Sequence, residues 1–240
     1  MISAQMGISG FVLAGGRSSR LGRDKALLPW PPGASAEGNR QTLLQHSIVR
    51  LQSVCATVSV CANRDDLPFD GAVIPDALSG SGPLGGIVAA LEHSSTEWNL
   101  LLAVDLPFLP VEVLQELVAR VPPSGPHGKA ADEFLPQAVS CVLPEVGGLP
   151  QPLCGLYHRA LAPGLRRSLE AGKFKVMAAL EQACNPVVTG SDVRGDHPPS
   201  RIELWDAEAF AARTFSNPSE WFLNINTPED WQEAQQRRFQ

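Results

Sequence analysis

Val12-Leu13-Ala14-Gly15-Gly16-Arg17-Ser18-Ser19-Arg20-Leu21-Gly22-Arg23-Asp24-Lys25-Ala26-Leu27-Leu28-Pro29 runs from an apolar segment through a double glycine and four cations into a second apolar segment. Ser9 to Ala14 is short and mostly apolar, which predicts a strand buried on both faces of a parallel sheet. Gly15 and Gly16 let the backbone turn through regions closed to other residues, so successive N–H groups can converge on one anion. Arg17, Arg20, Arg23 and Lys25 supply the cations that a triphosphate needs once it leaves water. The stretch therefore reads as a phosphate cradle at the carboxyl end of a strand; the plainer alternative is a strand-to-loop turn with solvated arginines.

Two familiar glycine signatures do not fit. A dinucleotide-binding turn needs Gly-x-Gly-x-x-Gly, but Gly15-Gly16 is followed by Arg17, Ser18, Ser19 and Arg20. A Walker loop needs Gly-Lys and then Ser or Thr, whereas Gly22 precedes Arg23 and Lys25 precedes Ala26.

Outward from the cradle, apolar runs alternate with segments of helical period. Leu43, Leu44, Ser47, Ile48 and Leu51 share a helical face, Ala56 to Ala62 and Ala72 to Ile74 read as strands, and Asn99 to Val104 is the clearest strand. Val111, Leu114, Leu117 and Val118 mark the next helix. The expected architecture is a single α/β domain over residues 1–240: a Rossmann-like, mostly parallel sheet with helices on both faces. Loop excursions rich in Gly, Pro and small polar residues are expected at 31–41, 122–133 and 185–200.

Open α/β sheets bind ligands at the carboxyl ends of their strands. Asp105 directly follows the apolar run Asn99 to Val104 and so falls on the same edge as Gly15. A carboxylate there can hold Mg²⁺, which binds through one or two carboxylates together with substrate phosphates; it could also brace a loop or cap a helix. Asn63 and Asp76 end the second and third strands at that edge, able to read a base or ribose, although both are also common turn residues. Gly80-Ser81-Gly82-Pro83-Leu84-Gly85-Gly86 precedes a helix expected over Ile87 to Glu92, giving either backbone access to its positive end or a plain turn. In Asn224-Ile225-Asn226-Thr227-Pro228-Glu229-Asp230, Thr227 is placed to cap a helix with Pro228 at its first position. Pro150 and Pro152 limit regular pairing and suggest an edge or pocket wall, and His158 is either a phosphate ligand or a solvated surface histidine.

Taken together, Leu13-Ala14-Gly15-Gly16, Ser18, Arg20, Gly22, Asp24-Lys25 and Ala26-Leu27-Leu28 resemble the signature of the molybdenum cofactor guanylyltransferases (molybdopterin-guanine dinucleotide biosynthesis protein A), within the nucleotidyltransferase superfamily. Leu21 stands where that family more often has Met. Relatives using cytidine or adenosine nucleotides usually carry Ala-Ala-Gly at the turn, so Gly16 carries the assignment to guanosine. Asp105-Leu106-Pro107-Phe108, Gly82-Pro83-Leu84-Gly85-Gly86, Gln151 to Tyr157 and Phe222 to Asp230 extend the resemblance along the chain.

The resemblance implies the nucleotide-diphospho-sugar transferase type of fold and transfer of GMP from GTP to the phosphate of the molybdenum-molybdopterin cofactor, with release of pyrophosphate. It implies catalytic roles for Arg20, Lys25 and Asp105, with Mg²⁺ on Asp105, and nucleotide contacts at Leu13, Ala14, Gly15, Gly16, Lys25, Asn63, Asp76, Gly82 and Asp105. Gly22, Asn224 and Asn226 would support the second substrate or the metal. GTP and molybdenum-molybdopterin are the implied substrates, and proteins that deliver or receive the cofactor the further partners. A cytidylyl- or adenylyltransferase on the same cofactor, a sugar-phosphate nucleotidyltransferase and a non-catalytic nucleotide-binding module are the alternatives. Retention of both Lys25 and Asp105 weighs against the last.

Composition narrows the field further. A length of 240 residues with 44% hydrophobic content can bury one sizeable core. The net charge of −6 argues against non-specific binding to nucleic acid or an anionic membrane, which makes the basic cluster a local device. The five cysteines, Cys55, Cys61, Cys141, Cys154 and Cys184, are scattered and odd in number, as expected of buried free thiols. With no basic n-region followed by a long apolar stretch, the expected location is cytoplasmic.

Overall fold

The computed structural model describes residues 7–15, 21–31, 41–121, 138–185, 200–214 and 217–237. Ten strands are found among them: β1 Ile8–Leu13, β2 Pro29–Trp30, β3 Gln41–Thr42, β4 Thr57–Cys61, β5 Val73–Ile74, β6 Trp98–Ala103, β7 Ala138–Val146, β8 Leu149–Pro150, β9 Cys154–His158 and β10 Ser200–Asp206. The helices are α1 Leu43–Gln52, α2 Pro83–His93, α3 Val111–Val118, α4 Ala162–Glu170, α5 Val176–Cys184, α6 Ala207–Thr214, α7 Pro218–Trp221 and α8 Pro228–Gln236.

The main sheet has the order β10-β7-β9-β6-β1-β4-β5, with β8 paired to β7. β1 runs parallel to both of its neighbours, β4 and β6. The chain moves outward from β1 through β4 to β5 and then returns to β6 on the other side of β1. This reversal makes a crevice at the carboxyl ends of β1 and β6, the usual ligand position in such sheets. The mostly parallel α/β expectation holds, with β9 antiparallel to both β6 and β7.

Strand alternation builds one core on each face. Ile8 and Val12 of β1, with Leu100 and Leu102 of β6, pack into a cluster that includes Leu44, Ile48 and Leu51 of α1. Phe11, Leu13 and Leu101 point the other way, toward Ile87, Val88 and Leu91 of α2 and Leu165 and Leu169 of α4. Each leucine buried this way contributes roughly 1.5–3 kcal/mol relative to exposure. Gly10 leaves space on the α1 side, where an added Cβ would meet Cys55 Sγ at 3.1 Å and Leu51 Cβ at 3.3 Å.

Three sequence expectations are refined in detail. The expected helix over Ile87 to Glu92 begins at Pro83, because Pro83 takes the first helical position and Gly82 the cap. Gly85 and Gly86 therefore lie within the first turns of α2 and not before it; an added Cβ would stand 3.2 Å from Asp76 Cβ at Gly85 and 3.4 Å from Asp76 Oδ1 at Gly86. The edge or pocket wall that Pro150 and Pro152 suggested is found in both senses: Pro150 closes β8, which pairs with β7 off the main strand order, and Leu153 lines the crevice at the carboxyl ends of β1 and β6. Beyond the prolines, Cys154 to His158 is free to pair as the interior strand β9. His158 is half-buried, its ring set edge-on against Trp98 and its Nδ1 accepting from the Ala160 N–H at 3.2 Å. It pairs with Trp98 at the amino end of β6, the opposite end of the sheet from Asp105, so phosphate binding is not its place.

The expected excursion at 31–41 departs from and returns to a two-stranded ribbon, in which Pro29 pairs with Thr42 and Trp30 with Gln41. Residues 32–40, and the expected excursions at 122–133 and, but for residues 185 and 200, at 185–200, lie outside the described residues. Among the described residues no helix is long and apolar enough to cross a membrane.

Candidate active site

The carboxyl ends of β1, β4, β5 and β6 surround a cleft of about 250 Å³. Leu13, Ala14 and Gly15 from β1 and its following turn line one wall, Gly82, Pro83 and Gly86 another, and Lys25, Asp105 and Asn226 close the third. Asp76 and Gly82 are shared with a wider lobe of about 770 Å³ that reaches Asn63, Arg64 and Gly80.

One end of the cleft is a three-residue cluster drawn from distant parts of the chain. Lys25 Nζ donates to Asp105 Oδ2 at 2.9 Å and to Asn226 Oδ1 at 2.7 Å. Lys25 is aimed by local chemistry: Asp24 caps a short 3₁₀ turn, Lys25–Leu27, its Oδ1 accepting from the Ala26 N–H at 3.0 Å. The other Asp24 oxygen contacts the Arg64 guanidinium, which also grips Asp66 through paired bonds of 2.6 and 2.7 Å.

Asp105 leaves β6 just as pairing ends, and the N–H of Ile225 donates to its carbonyl at 3.2 Å. Asn226 is positioned by the capping box of α8: Thr227 Oγ1 accepts from the Asp230 N–H at 3.1 Å, and Asp230 Oδ2 accepts from the N–H groups of Asn226 and Thr227, both at 2.8 Å. Burial works to raise the Asp230 carboxyl, but these N–H donors and the nearby Lys25 hold it below its usual range.

Asp105 Oδ1 is buried and has no hydrogen-bond partner among the described residues. A buried, unsatisfied carboxylate oxygen costs free energy unless something positive or protic meets it. It is the carboxylate oxygen that Lys25 does not engage, which fits a divalent cation held by one carboxylate and completed by phosphate oxygens and water. Among the described residues no group of three or more His, Cys, Asp or Glu side chains could hold a metal without such help.

At the other end, Asn63 and Asp76 form a reciprocal pair. Asn63 Nδ2 donates to Asp76 Oδ2 at 2.7 Å, and the Asp76 N–H donates to Asn63 Oδ1 at 2.8 Å. Burial raises the Asp76 carboxyl above its ordinary value, while the Asn63 bond pulls the other way. Cys61 lies on the apolar floor with its thiol pushed up to about 12 by burial, and burial likewise holds Cys154 at about 12; neither is a nucleophile.

The fold thus brings together Leu13, Ala14, Gly15, Lys25, Asn63, Asp76, Gly82, Asp105 and Asn226. Asn224 is exposed and does not line the cleft, whereas Asn226, also exposed, lines it and meets Lys25. Gly22 adopts a positive φ of 67° in the turn before Lys25, outside the cleft lining. Gly16 and Arg20 lie outside the described residues. Asp24 and Asp230 were not singled out for the site from sequence, although an Asp just before a helical turn and Asp three residues after Thr are both legible cap patterns.

A switch-point cleft with a lysine–carboxylate cluster at one end and an amide–carboxylate pair at the other defines a nucleotidyltransferase of the nucleotide-diphospho-sugar transferase fold. Residues 10–186 match the model of the MobA-like NTP transferase domain, and the chain belongs to that family. A probable molybdenum cofactor guanylyltransferase from Chloroflexus aggregans is 33% identical over 231 residues, covering 94% of this chain and 92% of its own. Another from Flavobacterium johnsoniae is 28% identical over 190 residues, covering 78% and 87%. The crystal structure of molybdopterin-guanine dinucleotide biosynthesis protein A from Archaeoglobus fulgidus superposes with a TM-score of 0.64 at 21% identity, covering 95% of this chain and 96% of that one. The family resemblance read from the sequence is borne out.

Proposed function

We propose that this protein transfers GMP from GTP to the terminal phosphate of the molybdenum-molybdopterin cofactor, forming molybdopterin guanine dinucleotide. The reading is supported by the names of its relatives and by the site chemistry, and above all by Lys25 Nζ shared between Asp105 and Asn226 at the cleft end.

An acceptor phosphate oxygen attacks the α-phosphorus of GTP, the bond from that phosphorus to the bridging oxygen breaks, and pyrophosphate leaves. The acceptor carries its own nucleophile, so no covalent enzyme intermediate is required. What remains for the protein is alignment and charge neutralisation. Lys25 is placed to stabilise negative charge on the phosphates, and the backbone after β1 to hold the leaving pyrophosphate. Asp105 would hold Mg²⁺ through the oxygen Lys25 does not use; when bound, the ion neutralises and orients phosphate oxygens. Asn63 and Asp76 offer hydrogen-bonding groups in the wider lobe, suited to a nucleoside.

The test is pyrophosphate release from each of the four ribonucleoside triphosphates, with and without molybdenum-molybdopterin. Turnover is expected only with GTP and the pterin acceptor. Turnover with CTP or ATP would reassign the nucleotide, and turnover with a sugar phosphate would overturn the acceptor.

A further inference from the structure

Arg50 of α1 is buried, with 7% of its surface exposed. Its guanidinium meets backbone: Nη1 donates to the Leu109 carbonyl at 2.6 Å, and Nη2 to the Leu106 carbonyl at 3.0 Å and to Ser47 Oγ at 3.4 Å. One helical turn earlier, His46 Nε2 lies 3.2 Å from the Pro107 carbonyl. A carbonyl only accepts, so this nitrogen carries the hydrogen. Burial, reinforced by the Arg50 charge, pushes His46 down to about 4, which leaves the imidazole neutral near neutral pH.

These bonds converge on the segment that follows Asp105. The Asp105 carbonyl accepts from Ile225, and those of Leu106, Pro107 and Leu109 accept from Arg50 or His46. Between them, Phe108 sits edge-on to Trp30 at 5.2 Å, with the Arg237 guanidinium 5.4 Å from its ring. A buried cation is an expensive way to fill space, and an apolar side chain would pack more cheaply. A planar fork reaching two carbonyls three residues apart does what no apolar residue can: it fixes backbone direction.

We propose that Arg50, assisted by His46, is a positioning residue for Asp105: by holding the carbonyls of residues 106–109 it sets the direction in which the carboxylate meets metal and phosphate. The inference rests on the role assigned to Asp105 under the proposed function.

The experiment compares Arg50→Lys, Arg50→Met, His46→Gln and His46→Leu with the wild type in the full chain. Folding is checked by thermal denaturation, Mn²⁺ binding in the presence of GTP by water-proton relaxation, and turnover by pyrophosphate release. Arg50→Lys keeps the charge but loses the fork; it is expected to weaken Mn²⁺ binding about tenfold, as for other residues that orient a metal ligand. Its kcat should fall with little change in KM for GTP, roughly within twofold. His46→Gln, which retains an N–H donor, should stay near wild type while His46→Leu moves in the same direction as Arg50→Lys. A folded Arg50→Lys with wild-type Mn²⁺ affinity and kcat overturns the proposal. Should both Arg50 variants fail to fold, the His46 pair decides, and equal behaviour of Gln and Leu overturns it. Failure of the wild type to release pyrophosphate from any triphosphate would remove the functional reading, yet the Mn²⁺ comparison would still judge the clamp. Absence of Mn²⁺ binding by the wild type would end both.

Discussion

The backbone N–H of Ile225 donates to the carbonyl of Asp105 at 3.2 Å, joining the closing motif to the end of β6. Together with the capping box of α8, that bond places the neighbouring residue, Asn226, 2.7 Å from Lys25, which in turn lies 2.9 Å from the Asp105 carboxylate. Three segments far apart in sequence thereby become one site.

Asp105→Ala is expected to abolish transfer while leaving measurable GTP binding, because the cleft walls at Gly15, Asp76 and Gly82 remain. Isothermal titration with GTP beside a pyrophosphate-release assay checks both halves. Undiminished turnover in magnesium would remove the metal assignment.

Lys25→Ala should lower kcat by about a hundredfold to a thousandfold, the range seen when one donor to transition-state charge is removed. Asn226→Ala should cost about tenfold, and the double variant no more than Lys25→Ala alone, since Asn226 acts through the lysine. Additive losses would instead give Asn226 an independent contact with metal or substrate.

Thr227→Ala removes the side-chain acceptor for the Asp230 N–H and should cost about 1 kcal/mol. For a chain of this size that corresponds to a fall in melting temperature of about 2–4 °C. The rate should fall less than for Asn226→Ala, because Asp230 still accepts from Asn226. An unchanged melting temperature would show that the cap contributes nothing to stability.

Asp76→Asn should stabilise the protein at neutral pH. Burial raises the folded-state pKa of Asp76, so its contribution to stability is fully present in acid and is lost as pH rises through that value. Replacing the carboxyl removes this loss, and the Asn63 N–H still finds an oxygen acceptor. Urea midpoints measured from the carboxylate range up to neutrality should diverge as pH rises. A gap that is constant or shrinks would contradict the assignment.

Much of the fold was legible because burial on both faces leaves a plain mark: β1 and β6 are buried along their whole length, and they and the partly buried β4 each begin and end within a residue or so of the expected position. β9 was not, since Pro150 and Pro152 stand close to it and neither local propensity nor periodicity records that the chain straightens at Cys154. The choice between Asn224 and Asn226 was equally closed to sequence, because both are asparagines in one short irregular segment. Nor did sequence mark Arg50 as buried: a long charged side chain beside Leu43 and Ser47 on the helical face can reach solvent from the edge of that face, and only the packing of α1 against residues 106–109 buries it.

By itself the sequence determined the alternation of strands and helices and the carboxylate at the end of β6, because each depends on residues that are neighbours in the chain or repeat at a fixed period. Only the tertiary structure decided which cation the carboxylate meets, which asparagine joins them and what holds their backbone still. Lys25, Asp105 and Asn226 are separated by 80 and 201 residues in their hydrogen-bonded pairs, and no local rule carries a distance of that kind.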